Sequence, residues 1–163
     1  MMKLGILGTL SLAIMLISQI SFAETVKIGF VTTLTGGAGA IGNDMRDAVE
    51  LALDHLGRKM GGSNVKVIYE DDTFKPAVGK QKTEKLVKKD KVHFVGGYIW
   101  SHVLMASRNS VVGKGPFMIT SNAGPGPVAG KLCHEDFFST SWQNDQTTMA
   151  MGEVLNQLGV KDL

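Results

Sequence analysis

The segment of residues 96–102 combines two aromatic side chains with a hydroxyl group and an imidazole. Tyr98 and Trp100 offer flat apolar surface, while Ser101 and His102 offer hydrogen-bonding groups at the predicted start of a helix. This combination is typical of a pocket that encloses an apolar or aromatic group and orients a polar one. A serine at this position can also cap the helix that follows, with Trp100 as packing. The sequence leaves both roles of Ser101 open.

A second segment, residues 120–127, consists mainly of small residues and prolines. Asn122, Ala123 and Gly124 would let a ligand approach the backbone closely, and the prolines that follow stiffen the loop. A stiff loop lowers the ordering cost of binding. The same composition is also ordinary turn material, which is the alternative. Trp142 lies in a further polar segment and could form another wall of the pocket, or it could belong to the core.

A glycine-rich loop, residues 34–42, carries the spacing G-x-G-x-x-G between a predicted strand and a predicted helix. Dinucleotide-binding loops share this spacing, but they turn directly off the strand and have an acidic residue about 20 positions further on. Here three residues separate the strand from the motif, and Glu70 and Asp71 follow at nearer to about 30 positions. The loop therefore favours a small anionic or zwitterionic ligand that approaches backbone amides, and a dinucleotide enzyme is the weaker alternative.

Signatures of catalysis and of metal binding are missing from the sequence. It contains no G-x-S-x-G, no phosphate-binding loop and no H-E-x-x-H, and its four histidines lack the spacing of metal ligands. Cys133 and His134 are neighbours in sequence, and adjacent side chains rarely face one another as a nucleophile and its base. We therefore expect a protein that holds a small-molecule ligand, with no enzymatic activity, no cofactor and no metal.

These segments lie in a regular alternation of strands and helices. Strict alternation predicts parallel βαβ units, and hence an α/β, Rossmann-like, doubly wound parallel sheet with helices on both faces. Ligands collect at the carboxyl ends of the strands in such sheets, where the segments described above are expected to meet. The predicted strands are residues 26–33, 65–70, 92–96, 117–120 and 137–139, and the predicted helices are about 43–56, 76–89, 101–112 and 145–158.

Residues 1–23 follow the three-part pattern of a secretory signal peptide. Lys3 is followed by an apolar run, and Ser21 and Ala23 stand at the small-residue positions of a cleavage site. The sequence therefore predicts export from the cytoplasm, with residues 24–163 as the mature part. An uncleaved membrane anchor is the alternative, because the apolar run is nearly long enough to span a bilayer.

Charge and cysteine content restrict the function further. Of the 17 basic residues only Lys3 lies in the predicted signal peptide, so the remainder nearly balances the 15 acidic residues. A nucleic-acid-binding domain would normally carry a concentrated basic surface, so we expect no nucleic-acid partner. The single cysteine, Cys133, excludes a disulfide within the chain. The last residues, from Leu158 through Val160, read as a helix that leads into another strand, so we expect a truncated chain.

The ordered set of residues 26–37, 69–72, 95–97, 119–125 and 137–141 resembles the N-terminal part of type I periplasmic substrate-binding proteins of the branched-chain amino acid transport family. The resemblance implies two Rossmann-like lobes that close around a ligand at a hinge. It identifies residues 24–163 as the first lobe, with the second lobe missing. As a hypothesis, Cys133 has a disulfide partner further along a longer chain.

The resemblance also implies a function and a set of site residues. Such proteins are the solute-binding components of ABC importers: they bind an amino acid or a related small carboxylate and present it to a membrane permease. An extracellular ligand-binding domain of a sensor or receptor is the alternative. Trp100 stands where smaller residues are common, and Gly124 where a threonine is often found. The ligand-binding residues implied by position are Trp100, Ser101, His102, Asn122, Ala123 and Gly124, with Tyr98 beside them.

Overall fold

The computed structural model describes residues 24–161, so the predicted signal peptide lies outside the described residues. The strands are β1 (Val26–Thr32), β2 (Lys59–Met60), β3 (Ser63–Asp71), β4 (Phe94–Gly97), β5 (Phe117–Thr120) and β6 (Phe137–Ser139). The α-helices are α1 (Gly39–His55), α2 (Pro76–Lys85), α3 (Ser101–Arg108) and α4 (Asp145–Gln157). A π-helical turn (Leu86–Asp90) continues α2, and a 3-10 turn (Gly126–Ala129) precedes β6.

The strands form one sheet in the order β2-β3-β1-β4-β5-β6. β1 pairs in parallel with β3 and with β4, and the parallel pairing continues from β4 to β5 and from β5 to β6. Only the short β2 is antiparallel, to β3. The predicted α/β fold with a parallel sheet is confirmed, because each crossover between neighbouring parallel strands contains helical structure.

Helices cover both faces of the sheet, as predicted. On one face Gly29 of β1 meets Leu86, whose side chain is fully buried; a Cβ at Gly29 would lie 2.7 Å from Leu86 Cδ1, so the strand needs a glycine there. On the other face the sheet meets α1: Thr32 Oγ1 lies 4.0 Å from Sδ of Met45 in α1, and the Tyr69 hydroxyl donates to Glu50 in α1. The two sides of β1 thus pack against different helices.

The core lies between the sheet and the pair α2–α3. Its fully buried members include Val31, Val95, Val103, Leu104 and Met118. Each such side chain stabilises the fold by roughly 1.5–3 kcal/mol relative to an exposed one. On the opposite face α1 covers β1 and β3 but leaves the aromatic residues of the other strands partly open, since Phe117 is 41% exposed and Phe138 is 51% exposed.

A hairpin was not predicted from the sequence. β2 and β3 are joined by Gly61 and Gly62, which have φ angles of +57° and +84°. Two successive residues with positive φ form the type I′ turn that suits a hairpin, and glycine adopts this conformation without steric strain. The pair of glycines was the available signal for this turn.

The helix boundaries differ from prediction at two places. α1 begins at Gly39 rather than near residue 43, because Gly39 and Gly42 pack directly against the end of β1; a Cβ at Gly42 would lie 1.8 Å from Thr33 O. Two of the three glycines of the G-x-G-x-x-G motif therefore allow the helix to pack closely against the end of the strand. α3 ends at Arg108 rather than at residue 112, and tight turns then lead to β5.

Candidate functional site

Five loops meet at the carboxyl edge of the parallel sheet. Those after β1, β3 and β4 form what we call the aromatic half, and those after β5 and β6 form the glycine half. The aromatic half comprises residues 34–38, 72–75 and 98–102, and the glycine half comprises residues 121–125 and 140–145.

The aromatic half encloses a hollow with two perpendicular rings in its wall. The Phe74 and Trp100 ring centroids lie 4.7 Å apart with an interplanar angle of 83°. The imidazole of His102 lies 5.1 Å from Phe74, and its side chain is exposed. Edge-to-face contact of this kind is a favourable arrangement of aromatic rings. The hollow has a volume of about 350 Å³ and is lined by Thr35, Gly36, Gly37, Ala38, Thr73, Phe74 and Trp100.

The indole of Trp100 is oriented by a hydrogen bond to the buried end of β1. Its Nε1–H donates to Thr33 Oγ1 over 3.0 Å, and Thr33 is fully buried. Because an indole has a single N–H donor, this bond leaves no polar atom of the Trp100 side chain for a ligand. The side chain of Trp100 can therefore contribute ring surface to the hollow but no hydrogen bond.

The loop after β3 was missed by the sequence reasoning, although it follows a parallel strand like the others. Thr73 and Phe74 have φ angles of +50° and +65°, a conformation that non-glycine residues rarely adopt. The carboxylate of Asp71 supports it by accepting hydrogen bonds from the Thr73 amide, the Leu34 amide and the Thr35 hydroxyl. The available signal was a pair of aspartates between a strand and Pro76, the first residue of α2.

The charge of Asp71 is stabilised by these contacts. Partial burial raises the pKa of Asp71, but the hydrogen bonds from Thr35, Leu34 and Thr73 together outweigh that effect and hold the pKa below its usual value. Asp71 is therefore ionised at neutral pH and joins the loop after β1 to the loop after β3.

Ser101 does not cap α3. The N-cap residue is Trp100, and no side chain bonds to the helix at that position. The Ser101 hydroxyl instead accepts a hydrogen bond from Asn144 Nδ2 over 3.0 Å, which leaves its own proton free to donate. The capping alternative is therefore wrong. At the start of α3 the first backbone amides have no partner within the helix, so hydroxyl and amide donors lie together there.

Tyr98 lies in the core rather than at the loop surface. Its side chain is fully buried, and its hydroxyl lies 2.6 Å from Thr83 Oγ1. Burial raises the pKa of Tyr98, so it remains a neutral phenol. Its φ angle of +63° makes the chain turn sharply at the end of β4. Tyr98 thus shapes the loop from beneath, and its side chain cannot reach a ligand.

The loops after β4 and β5 are hydrogen-bonded to each other. Asn122 Nδ2 donates to the carbonyl of Ile99 over 2.9 Å, and the Ala123 amide donates to the carbonyl of Tyr98 over 3.0 Å. The predicted site segments around Trp100 and Asn122 therefore lie side by side at one edge of the sheet. The side chain of Asn122 and the amide of Ala123 are engaged in holding the loops together, and Ala123 is only 2% exposed.

In the glycine half the backbone itself forms the close contacts. A Cβ at Gly124 would lie 1.9 Å from the carbonyl oxygen of Trp142, and the Asn144 amide donates to the Gly124 carbonyl over 2.7 Å. Trp142 is 58% exposed, so its assignment to the core is wrong. A shallow depression of about 310 Å³ lies beside these residues, lined in part by Pro125, Phe137 and Gln146.

Within residues 24–161, no group of three or more His, Cys, Asp or Glu side chains is arranged to hold a metal ion. No helix in the same part of the chain has the length and apolar character needed to cross a membrane. Cys133 is exposed and unpaired among the described residues.

Two relatives are similar to this chain in sequence. A Leu/Ile/Val-binding protein homologue of Brucella abortus is 24% identical over 147 residues, which covers 90% of this chain and 37% of the relative. The Leu/Ile/Val-binding protein BraC3 of Rhizobium johnstonii is 29% identical over 114 residues, covering 66% of this chain and 31% of the relative. The chain thus spans about a third of the length of these relatives.

A solved structure is similar over most of the described chain. The solute-binding protein of an R. palustris ABC transporter, in complex with benzoate, is 27% identical with a TM-score of 0.78, covering 85% of this chain and 38% of that protein. The sequence profile of the periplasmic binding protein family matches residues 25–163. The family expected from the sequence is confirmed: this chain belongs to the periplasmic binding proteins, as a relative of the leucine-binding type.

Proposed function

We propose that this chain forms the first lobe of the solute-binding component of an ABC importer, which captures an amino acid or a related small carboxylate in the periplasm and presents it to a membrane permease. The ligand is held at the carboxyl edge of the sheet, and a second lobe closes over it. No bond of the ligand is made or broken.

One observation carries the proposal: hydrogen-bond donors converge at the carboxyl edge beside an apolar wall. The Ser101 hydroxyl and the first amides of α3 lie next to the loop of residues 121–124, because that loop is bonded to Ile99 and Tyr98. Donors at a helix start favour an anionic group such as a carboxylate. Phe74 and Trp100 supply apolar surface for the rest of the ligand.

Two ligand chemistries have support. The curated relatives are named for binding leucine, isoleucine and valine, and the benzoate-bound solute-binding protein has a similar fold. Both kinds of ligand join a carboxylate to an apolar body, which suits donors beside an aromatic wall. The perpendicular rings of Phe74 and Trp100 favour the ligand with a flat ring.

Delivery to the periplasm is part of the proposal. The order of residues in 1–23 is that of a cleavable signal peptide, and the family to which the chain belongs is periplasmic. N-terminal sequencing of the exported protein should begin at Glu24. A start at Met1 would contradict cleavage.

Titration calorimetry of the protein at its natural full length, with leucine, isoleucine and benzoate, tests the function. For whichever of these ligands binds, Ser101→Ala should weaken binding by about 1–3 kcal/mol. The variant lacks the hydroxyl that would otherwise donate to the desolvated charge of the ligand. Ser110→Ala is the matched control, because the Ser110 hydroxyl faces Glu84, away from the carboxyl edge.

If the two serine variants changed the affinity equally, Ser101 would not be part of the ligand site. Residues 24–163 alone should bind the same ligand weakly or not at all, since a single lobe cannot exclude water from it. Tight binding by this piece would contradict closure by a second lobe.

A further inference from the structure

A fully buried carboxylate lies behind the aromatic wall and is connected to it. Thr33 Oγ1 donates to Asp72 Oδ1 over 2.5 Å, and both residues are fully buried. Thr33 Oγ1 also accepts the indole N–H of Trp100. A hydroxyl has one proton and can accept at its lone pairs, so each direction in this chain is determined: indole to hydroxyl, hydroxyl to carboxylate.

The same carboxylate oxygen holds the second ring. The Phe74 amide donates to Asp72 Oδ1 over 2.9 Å and keeps Phe74 in its positive-φ conformation. Phe74 then meets Trp100 edge to face. One oxygen of Asp72 is thus connected to both rings, through a hydroxyl on one side and through a backbone amide on the other.

The second oxygen of Asp72 adds a cost to burying this side chain. Asp72 Oδ2 is buried and has no hydrogen-bond partner among the described residues. A buried acceptor without a partner destabilises a fold. The hydrogen bonds from Thr33 and from the Phe74 amide to Oδ1 offset this cost, and these are the bonds that orient the wall.

We propose that Asp72 is a positioning residue for the ligand site. Through Thr33 it orients the Trp100 indole, and through the Phe74 amide it holds the second ring, so that the two rings form a wall before the ligand arrives. A wall of this kind favours a carboxylate ligand with a flat ring over one with an aliphatic side chain, because a preformed surface need not be ordered on binding. This inference rests on the proposed function.

The first test needs no ligand. The indole N–H signal of Trp100 in the full-length protein, assigned by its disappearance in Trp100→Phe, reports the hydrogen bond to Thr33 in a ¹H–¹⁵N spectrum. Thr33→Val and Asp72→Asn should shift this signal and speed its exchange with solvent, by about tenfold where the bond is lost. Thr33→Ser keeps the hydroxyl and should restore the wild-type signal.

Thr32→Val is the matched control. It removes a buried threonine hydroxyl that contacts Met45 of α1 and lies outside the connection to Trp100. Its indole signal should match wild type, so any general effect of losing a buried hydroxyl is separated from the specific one. The dispersion of the remaining signals shows whether each variant is folded. Unchanged indole exchange in both Thr33→Val and Asp72→Asn would overturn the positioning role.

The second test compares affinities for benzoate and leucine. Asp72→Asn and Thr33→Val should reduce the benzoate-to-leucine affinity ratio by about tenfold, the size expected for losing one oriented contact. An equal loss for both ligands would overturn the preference for a ring. A wild-type protein that binds neither ligand would contradict the proposed function instead, and the indole measurement would still decide the orientation of Trp100.

Discussion

The two halves of the carboxyl edge are held together by different means. In the aromatic half, side chains provide the contacts: Asp71 and Asp72 accept hydrogen bonds from the two segments that follow β1 and β3. In the glycine half, the backbone provides the contacts. Gly124 lies directly against the Trp142 carbonyl, and its own carbonyl accepts a hydrogen bond from the Asn144 amide.

This difference determines what each half can offer a ligand. Buried carboxylates can hold large rings in a defined orientation, so the aromatic half presents a shaped apolar wall. A backbone packed against backbone leaves no room for side chains, so the glycine half presents peptide groups at close range. The two halves should therefore be sensitive to different substitutions. Added side-chain volume should destabilise the glycine half, while the loss of a charged side chain should destabilise the aromatic half.

The largest effect is expected from Gly124→Ala. Its Cβ would lie 1.9 Å from the Trp142 carbonyl oxygen, so the backbone of residues 141–144 has to move. We expect a loss of about 2–3 kcal/mol in the free energy of unfolding, as for other overpacked sites. Urea denaturation followed by circular dichroism measures it.

Gly37→Ala is the matched control in the aromatic half, because a Cβ there has no atom within 4 Å. Its effect should be within about 0.5 kcal/mol. If both alanines destabilised the protein equally, close backbone packing would not distinguish the glycine half.

A smaller effect is expected from Asp71→Asn, about 1–2 kcal/mol at pH 7, because a charged acceptor of three hydrogen bonds becomes a neutral amide. The folded pKa of Asp71 lies below the unfolded value, so its stabilisation is fully present above the unfolded pKa and is lost as the pH falls through the folded pKa. The gap between wild type and variant should therefore close below about pH 4.

Denaturation of both proteins at a series of pH values between 7 and 3 measures this gap. Glu50 and Glu70 also have lowered pKa values, so wild type and variant will both lose stability in acid, and only their difference reports Asp71. A difference that stayed constant down to pH 3 would mean that the charge of Asp71 is not what holds the aromatic half.

The smallest effect is expected from Asn144→Ala. Asn144 Nδ2 bonds to Ser101 Oγ and so joins the two halves through exposed side chains. An exposed hydrogen bond of this kind should contribute no more than about 0.5 kcal/mol. Hydrogen exchange of the first amides of α4 should nevertheless quicken. A large loss of stability would show that the two halves depend on each other.

The order and type of the main elements could be predicted from the sequence. The alternation of strands and helices correctly predicted a parallel sheet, with β5 and β6 at their observed bounds. It did not determine which face of the sheet each helix covers or how the helices pack. The hairpin of β2 was missed because a two-residue strand carries almost no periodic pattern. The early start of α1 was missed because glycines are poor helix formers, and only contact with Thr33 explains Gly42.

The candidate site was predicted in part, for a similar reason. Loops at the ends of parallel strands must meet, so Trp100, Ser101 and Asn122 could be brought together from sequence. Tyr98 was misplaced because its positive φ turns the side chain into the core, which residue type does not reveal. Phe74 was overlooked because its role depends on a strained turn.

The sequence by itself determined the fold and the edge of the sheet where a ligand would lie, since both follow from local periodicity and from the geometry of parallel strands. Only the tertiary structure decided which side chains line that edge, which support it from beneath, and that Asp72 reaches Trp100 through Thr33. Those assignments depend on side-chain direction and on contacts between residues far apart in the chain, which no local pattern encodes.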